Sequence, residues 1–293
     1  MRYVSLVLGV ILLIFISFYN FGNWRYFDKD NDVVISENEY FVDKDYTYFK
    51  NYDDVIHNYT ELLNYIYYVV NSGSTFAKGE CTSEYKDCSK DLETIGNDKQ
   101  LLSMINNFVH PYNSFESIVF TYNDNGKFSI KINKIYSDNE IKILNGIVSG
   151  IIKDDITDNM TTYDKIKVIH DYIIDTTKYD TLKSKNIKDT TYLSNTAYGV
   201  LVEGYGICSG YSDAMSIFLD KLGIENYKIS NSTHIWNLVK VNNVWLHLDL
   251  TWDDPIYENN LNRDTYFLIT THDLEKLNDN THDFNKNIFK EAK

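Results

Sequence analysis

Residues 204–223 read GYGICSGYSDAMSIFLDKLG and place a cysteine between glycines at the beginning of a predicted helix. After Cys208, apolar residues recur at helical spacing. They are Ala214, Ile217, Phe218 and Leu222. Gly223 suits the position just past the end of a helix. The pattern predicts a helix from about Ser209 to Leu222, with Cys208 at its N-terminus.

The N-terminus of a helix is a favourable place for a reactive thiol. The helix dipole and the unpaired N–H groups there favour thiolate over thiol, and the same amides can hold an oxyanion. Gly206 and Gly210 carry no side chain that would block a substrate carbonyl. A cysteine at a helix start can equally be a small buried residue, so the catalytic interpretation requires a base.

A candidate base occurs in the stretch HIWNLVKVNNVWLHLDLTWDDP, residues 234–255. Two β-rich runs flank Asn242 and Asn243, which suit a two-residue hairpin turn because asparagine tolerates positive φ. The turn predicts that Val241 pairs with Val244, and this pairing fixes the register of the whole hairpin.

The register places His234 and Asp249 on one face as diagonal neighbours, with Cβ atoms about 7 Å or less apart. The opposite face is almost wholly apolar, with Asn237 as its exception, and is expected to be core. It carries Ile235, Val239, Val241, Val244, Leu246, Leu248 and Leu250. The sequence therefore predicts a His–Asp pair that points away from this core face, as a general base and its orienting group require.

Four further side chains near these motifs have open roles. Trp236 and Trp252 flank the His–Asp pair, where they can contact substrate and shield an intermediate, or simply pack. His247 falls on the same face without a predicted partner, and we interpret it as a structural or rim residue. His170, on an amphipathic helix beside an aspartate, is expected to be a structural hydrogen-bonding residue.

Cys208, His234 and Asp249 form, in chain order, the three parts of a cysteine-nucleophile site. The motifs G-x-C-x-G-Y, H-x-W-N and W-x-x-x-D-x-T-W-D-D resemble the bacterial branch of the transglutaminase-like superfamily, over roughly residues 160–270. The resemblance implies that Cys208 is the nucleophile, His234 the base and Asp249 its orienting group. The short Cys208–His234 spacing, and Ile235 where alanine is common, depart from the family pattern but remove no catalytic group.

The resemblance also implies a papain-like α+β fold, in which the cysteine helix packs against an antiparallel sheet. The activity it implies is acyl transfer through a thioester, from a glutamine side chain or peptide amide of a protein or peptide to an amine or to water. A cysteine peptidase or amidase would use the same triad, and a binding or structural protein could keep the fold without activity. No contiguous calcium-binding loop occurs, so we predict no metal and no other cofactor.

The region before this domain carries helix and hairpin signals without recognisable chemistry. Helical patterns follow Asp53 and Asp54 and cover residues 101–109 and 139–152, and strand patterns at residues 117–122 and 127–136 flank a turn. We predict a small α+β region of unknown role over residues 25–155 and the transglutaminase-like domain over residues 156–293.

The first residues have the composition of a membrane segment. No charged residue occurs between Tyr3 and Trp24, a length that can cross a bilayer of about 30 Å. Because no small-x-small cleavage site follows, residues 1–24 are predicted to be a retained signal-anchor, with the body outside the cytoplasm at the cell surface; cleavage would make the protein secreted. The net charge of −14 argues against nucleic acid as a partner.

Two further cysteines fit the extracytoplasmic placement. Cys81 and Cys88 lie close enough in sequence to close a small disulfide loop in an oxidising compartment. Two unpaired thiols are the first alternative. Half of a metal site is the second, but no other Cys or His pair at zinc-like spacing accompanies these residues.

Overall fold

The computed structural model describes residues 34–42, 44, 54–123, 125–254 and 263–293. They form two units that mix helices and strands, one ending at Tyr136 and the other beginning at Ser137. The predicted membrane segment, residues 1–24, lies outside the described residues. In the part of the chain that is described, no helix is both long and apolar enough to cross a membrane.

The described residues of the first unit contain a four-stranded sheet, three α-helices and a 3-10 turn (Pro111–Asn113). The strands are β1 (Val55–Ile56), β2 (Phe76–Cys81), β3 (Phe115–Tyr122) and β4 (Lys127–Lys134), and the helices are α1 (Tyr59–Asn71), α2 (Cys88–Asn97) and α3 (Lys99–Asn107). The spatial order is β1-β2-β4-β3, with β1 parallel to β2 and the other pairs antiparallel. The predicted hairpin is thus present as β3–β4.

Local capping explains where α1 begins. Asn58 caps this helix, because its side chain accepts a hydrogen bond from the Glu61 N–H at 3.1 Å. The structure joins Cys81, at the end of β2, to Cys88, the first residue of α2, by a disulfide. This bond closes the loop between the two elements.

The second unit begins with two long helices, α4 (Asp138–Asp155) and α5 (Thr162–Thr176). Each begins with a capping box, Ser137 with Glu140 and Thr161 with Asp164. The helix α4 belongs to this unit, so the division at residues 136–137 precedes the predicted domain boundary at residues 155–156. Whether residues 156–293 fold as a domain on their own remains a prediction.

The remaining elements of the second unit build the region around Cys208. They are β5 (Lys178–Tyr179), α6 (Thr181–Lys185), a π-helical turn (Gly199–Glu203), β6 (Tyr205–Gly206), α7 (Cys208–Lys221), β7 (Asn226–Ser230), β8 (Ile235–Val241), β9 (Val244–Leu248), α8 (Leu250–Asp253) and α9 (Thr271–Leu277). Strands β7, β8 and β9 form an antiparallel sheet in sequence order, and β5 pairs with β6 in parallel.

Both central elements of the sequence prediction are confirmed. The helix α7 begins at Cys208 and ends at Lys221, one residue before the predicted end at Leu222. Gly223, just past this end, adopts a φ of 68°. In the β8–β9 hairpin Val241 pairs with Val244, and Asn242 and Asn243 have φ of 50° and 66°. Positive φ at both turn positions is the type I′ geometry that matches strand twist.

The helix α7 packs on one face of the β7–β8–β9 sheet. Asn237, the polar exception on that face, donates to Ser212 O at 3.1 Å and to Ser216 Oγ at 2.9 Å, so it is a buried link between β8 and α7. Ser212 Oγ in turn donates to Ile235 O at 3.1 Å. These bonds fix the start of α7 beside the start of β8.

Residues 263–293 pack over the polar face of the hairpin. Ile269 bridges to His247, the Asp249 N–H donates to Tyr266 O at 3.1 Å, and Asn231 binds Thr281 O. The His–Asp pair therefore lies beneath a second layer of chain. The sequence pattern missed this layer because it contains one short helix and otherwise irregular chain.

Candidate active site

Cys208 is held at the start of α7 by the loop that precedes it. The Lys178 N–H donates to Gly204 O and the Asp180 N–H to Gly206 O, while the Ile207 N–H donates to Ser194 O. The N-cap residue Ile207 offers no side-chain acceptor, so no side chain caps the first turn. The thiol of Cys208, 6% exposed, therefore lies at the positive end of the helix dipole.

Packing requires the glycines around Cys208, and their role in substrate access stays a prediction. A Cβ at Gly210 would collide with Ser194 O and come within 2.9 Å of Thr196 O. A Cβ at Gly206 would press into the Tyr211 ring at 2.6 Å. Both positions need glycine because the supporting loop approaches the helix this closely.

His234 lies between Cys208 and Asp249. Its Nε2 is 2.5 Å from Asp249 Oδ2, and the Cys208 side chain is near enough to contribute to its pKa. The other oxygen of Asp249, Oδ1, accepts from the backbone N–H groups of Thr251 and Trp252 at the start of α8. The structure thus brings the three predicted residues into one connected arrangement.

The electrostatics of the pair favour an imidazolium beside a carboxylate. Burial opposes the charged form of His234, but the charge and hydrogen bond of Asp249, with a contribution from Cys208, raise its pKa to about 10. Burial alone would raise the pKa of Asp249, yet His234 and His282 hold it well below its usual range. The carboxylate is therefore ionised at neutral pH.

The two tryptophans occupy different positions. Trp236 is 1% exposed and stacks on the His234 ring at a centroid distance of 5.6 Å, which is a packing position. Trp252 is 42% exposed and lies edge-on to His234 at 6.4 Å. Of the two, Trp252 has the surface needed to touch a substrate, and that role stays a prediction.

Sequence reasoning missed His282. Its Nε2 is 2.8 Å from Asp249 Oδ2, the same oxygen that binds His234, and its Nδ1 is 2.9 Å from Asp279 Oδ2. The three-residue spacing of Asp279 and His282 is the one sequence feature that could have indicated that these two side chains meet. Nothing in the sequence connects them to Asp249, which lies 33 positions before His282.

The other histidines near the motifs are buried and fully bonded. His247 accepts at Nδ1 from Trp236 Nε1–H at 3.0 Å and lies 2.9 Å from Thr271 Oγ1 through Nε2. Burial, with the charge of His282, lowers the pKa of His247 to about 3, so this ring is neutral. His170 Nε2 lies 3.2 Å from Asp253 Oδ2 and thereby ties α5 to α8. Both fit the structural roles expected for them.

His234, Asp249 and His282 each present one atom within 4.8 Å of the others, a spacing that can suit a metal ion. The contacts of 2.5 and 2.8 Å are, however, shorter than the separation of about 3.3 Å between ligands on a tetrahedral zinc ion. They have the length of hydrogen bonds with a proton between the atoms. A second group, His170, Asp171 and Asp264, already holds the Lys167 ammonium between its carboxylates.

Comparison with known proteins places these residues in a family context. Residues 152–250 match the family model of the transglutaminase-like superfamily. A TGase crystal structure aligns at 17% identity with a TM-score of 0.37, over 50% of this chain and 46% of that chain. A candidate cysteine protease from Cytophaga hutchinsonii aligns at 13% identity with a TM-score of 0.29, over 46% of this chain and 61% of that chain. The chain thus covers less than two thirds of either, and no curated protein gives a significant match.

Proposed function

We propose that the chain, whose residues 152–250 match the transglutaminase-like superfamily, is a cysteine acyltransferase or hydrolase that works through a thioester on Cys208. The single observation that carries the proposal is the buried Cys208–His234–Asp249 connection, in which a cationic histidine adjoins a thiol at a helix N-terminus. Such a pair supplies both the nucleophile and the proton that the leaving group needs.

The proposed reaction has two steps. In the first, the Cys208 thiolate, beside the His234 imidazolium, attacks the carbonyl carbon of a glutamine side chain or peptide amide, and His234 gives its proton to the nitrogen that leaves as ammonia or an amine. In the second, an amine or water attacks the thioester while His234 accepts its proton, and Cys208 leaves as the thiolate. In this proposal, backbone N–H groups at the start of α7 stabilise the negative oxygen. Asp249 orients the imidazole throughout.

The acceptor is what separates a transferase from a peptidase or amidase. The test incubates the protein with a glutamine-rich protein and a small labelled amine, with Cys208→Ala as the matched control, and follows products by mass spectrometry. Amine incorporation that is lost in the variant supports transfer. Cleavage or deamidation without incorporation assigns water as the acceptor. Identical spectra for both proteins would overturn the catalytic proposal in favour of a binding protein.

We further propose that the folded body lies outside the cytoplasm, held by residues 1–24. The uncharged apolar N-terminal sequence supports the anchor, and the Cys81–Cys88 disulfide supports an oxidising compartment. Fusion of alkaline phosphatase, which is active only after export, to the C-terminus tests the orientation. An active enzyme in the membrane fraction is expected; activity in the medium indicates cleavage, and an inactive fusion contradicts the proposal.

A further inference from the structure

A second histidine shares the carboxylate oxygen that orients His234. Asp249 Oδ2 accepts from His234 Nε2 at 2.5 Å and from His282 Nε2 at 2.8 Å, while Asp249 Oδ1 accepts from two backbone N–H groups. The carboxylate has room for four such bonds and receives all of them. His282 therefore supplies one of the four contacts that fix the position of Asp249.

His282 contacts a carboxyl group through each ring nitrogen. Its Nε2 faces Asp249, and its Nδ1 faces Asp279 Oδ2 at 2.9 Å. Burial alone would raise the pKa of Asp279, but its bonds to His282 and to the Thr281 N–H lower it. Because a carboxylate can only accept, the bond to Asp249 requires a proton on Nε2 of His282.

The surroundings of His282 hold the ring in place from several sides. The Thr281 hydroxyl lies 3.1 Å from Nδ1, and the Tyr266 ring stacks on the imidazole at a centroid distance of 4.9 Å. The side chain of His282 is 3% exposed. The titratable or charged groups that face it are Asp249, Asp279, His234, His247 and Tyr266, and Glu275, Asp283 and Lys286 line the cavity beside it.

We propose that His282 is a positioning residue for the Cys208 site: held between Asp279 and Asp249, it donates from Nε2 to the oxygen that binds His234 and keeps that carboxylate aimed at His234. The inference rests on the proposed function, because positioning has a catalytic consequence only if His234 serves Cys208. It adds His282 and Asp279 to the bonded pair of His234 and Asp249.

Two substitutions separate donation from packing. His282→Gln keeps an N–H that can reach Asp249 but loses the ring, and His282→Phe keeps the ring among its aromatic neighbours but loses the N–H donor. His272→Gln, at an exposed histidine of α9, is the matched control. Because Cys81 and Cys88 form a disulfide, Cys208 is the one free thiol of the chain, so iodoacetamide reports on it alone.

The readout is the rate of Cys208 alkylation at pH 6, measured by mass spectrometry on variants checked for folding by circular dichroism. We expect His272→Gln to match the native protein, His282→Gln to remain within about 3-fold and His282→Phe to be slowed about 10-fold or more, because the orientation of His234 controls the thiolate. Native rates for His282→Phe, or equal slowing of both folded variants, would overturn the inference. If the native protein reacts no faster than a free cysteine, the proposed function fails instead.

Nitrogen NMR of the histidine rings tests the donation on native protein and does not depend on any variant's activity. The His282 signals are assigned by their loss in His282→Gln. A protonated Nε2 is expected, and a tautomer with an unprotonated Nε2 would overturn the proposed donation. This measurement decides the donor even if the phenylalanine variant does not fold.

Discussion

At the scale of single residues, the candidate site depends on one buried carboxylate. Asp249 is 2% exposed and binds His234, His282 and the first turn of α8 at once. A buried charge is tolerated only when it is paired and fully hydrogen-bonded. Asp249 meets this condition through four N–H donors, so its contribution to orientation and to stability cannot be separated.

Replacement of this carboxylate is expected to lower both the reactivity of Cys208 and the stability of the protein. In Asp249→Asn the amide loses the charge that stabilises the His234 imidazolium, so we expect Cys208 alkylation at pH 6 to slow about 100-fold. The unfolding free energy should fall by about 3 kcal/mol, since a buried pair is broken. Urea unfolding and alkylation kinetics measure the two effects. Asp283→Asn, at an exposed site, is the control, and equal behaviour of both variants would contradict the prediction.

The pKa of His234 also predicts how stability depends on pH. It rises from about 6.5 in the unfolded chain to about 10 in the folded protein. The folded state therefore holds its proton more tightly. The gain is complete below about pH 6.5 and is lost as pH increases through about 10. We expect the melting temperature to fall across this window, and the fall to be reduced in His234→Gln. An unchanged pH slope in the variant would count against the raised pKa.

At the scale of elements, α7 is defined by close packing at its N-terminus. Gly210 meets the backbone of the loop at Ser194 and Thr196, whereas a methyl group added at Gly146, in the interior of α4, would have no atom within 4 Å. Glycine therefore has a different effect on stability in each of these two helices. One glycine is required by contact, and the other only weakens its helix.

The two glycines therefore predict opposite signs for the same substitution. Gly210→Ala should destabilise the second unit by about 2 kcal/mol or more, because the added methyl collides with backbone that cannot move away cheaply. Gly146→Ala should stabilise it by about 0.5 to 1 kcal/mol through helix propensity alone. Urea unfolding of both variants gives the comparison. An unchanged unfolding free energy for Gly210→Ala would mean that the loop at Ser194 and Thr196 can move to accommodate the added methyl group.

At the scale of the whole molecule, the two units carry different chemistry. The disulfide lies in the unit that ends at Tyr136, and the free thiol lies in the unit that begins at Ser137. Within the second unit, residues 263–293 complete the core over the His234 face. Phe289 is 4% exposed and stacks near Tyr227 of β7, and the Ala292 N–H donates to Thr271 Oγ1 at 2.8 Å.

If this C-terminal layer is part of the core, its apolar anchor should be costly to remove. Phe289→Ala is expected to lower the unfolding free energy of the second unit by about 3 kcal/mol, from lost burial and the cavity left behind. Leu277→Ala, at a side chain 38% exposed, should cost less than about 1 kcal/mol. Urea unfolding followed by fluorescence of Trp236, Trp245 and Trp252 reads this unit. Equal losses of unfolding free energy in the two variants would mean that the C-terminal layer is not part of the core.

Local patterns were sufficient for the elements that carry the candidate triad. The helical stripe predicted α7, and the two asparagines predicted the turn that sets the β8–β9 register. Because strand pairing follows from the turn, the proximity of His234 and Asp249 followed from the sequence as well. Helix starts such as that of α1 were predicted less well, since the capping side chain, Asn58, has several polar competitors nearby.

The sequence by itself therefore determined the Cys208 helix, the hairpin and the pairing of His234 with Asp249, because each depends on a short-range period or a tight turn. Only the tertiary structure decided that both faces of the sheet are buried, that Gly210 is required by the Ser194 loop, and that His282 binds Asp249. These contacts join residues distant in sequence, or chain without a regular period. Their formation depends on how layers pack in space, which no local pattern encodes.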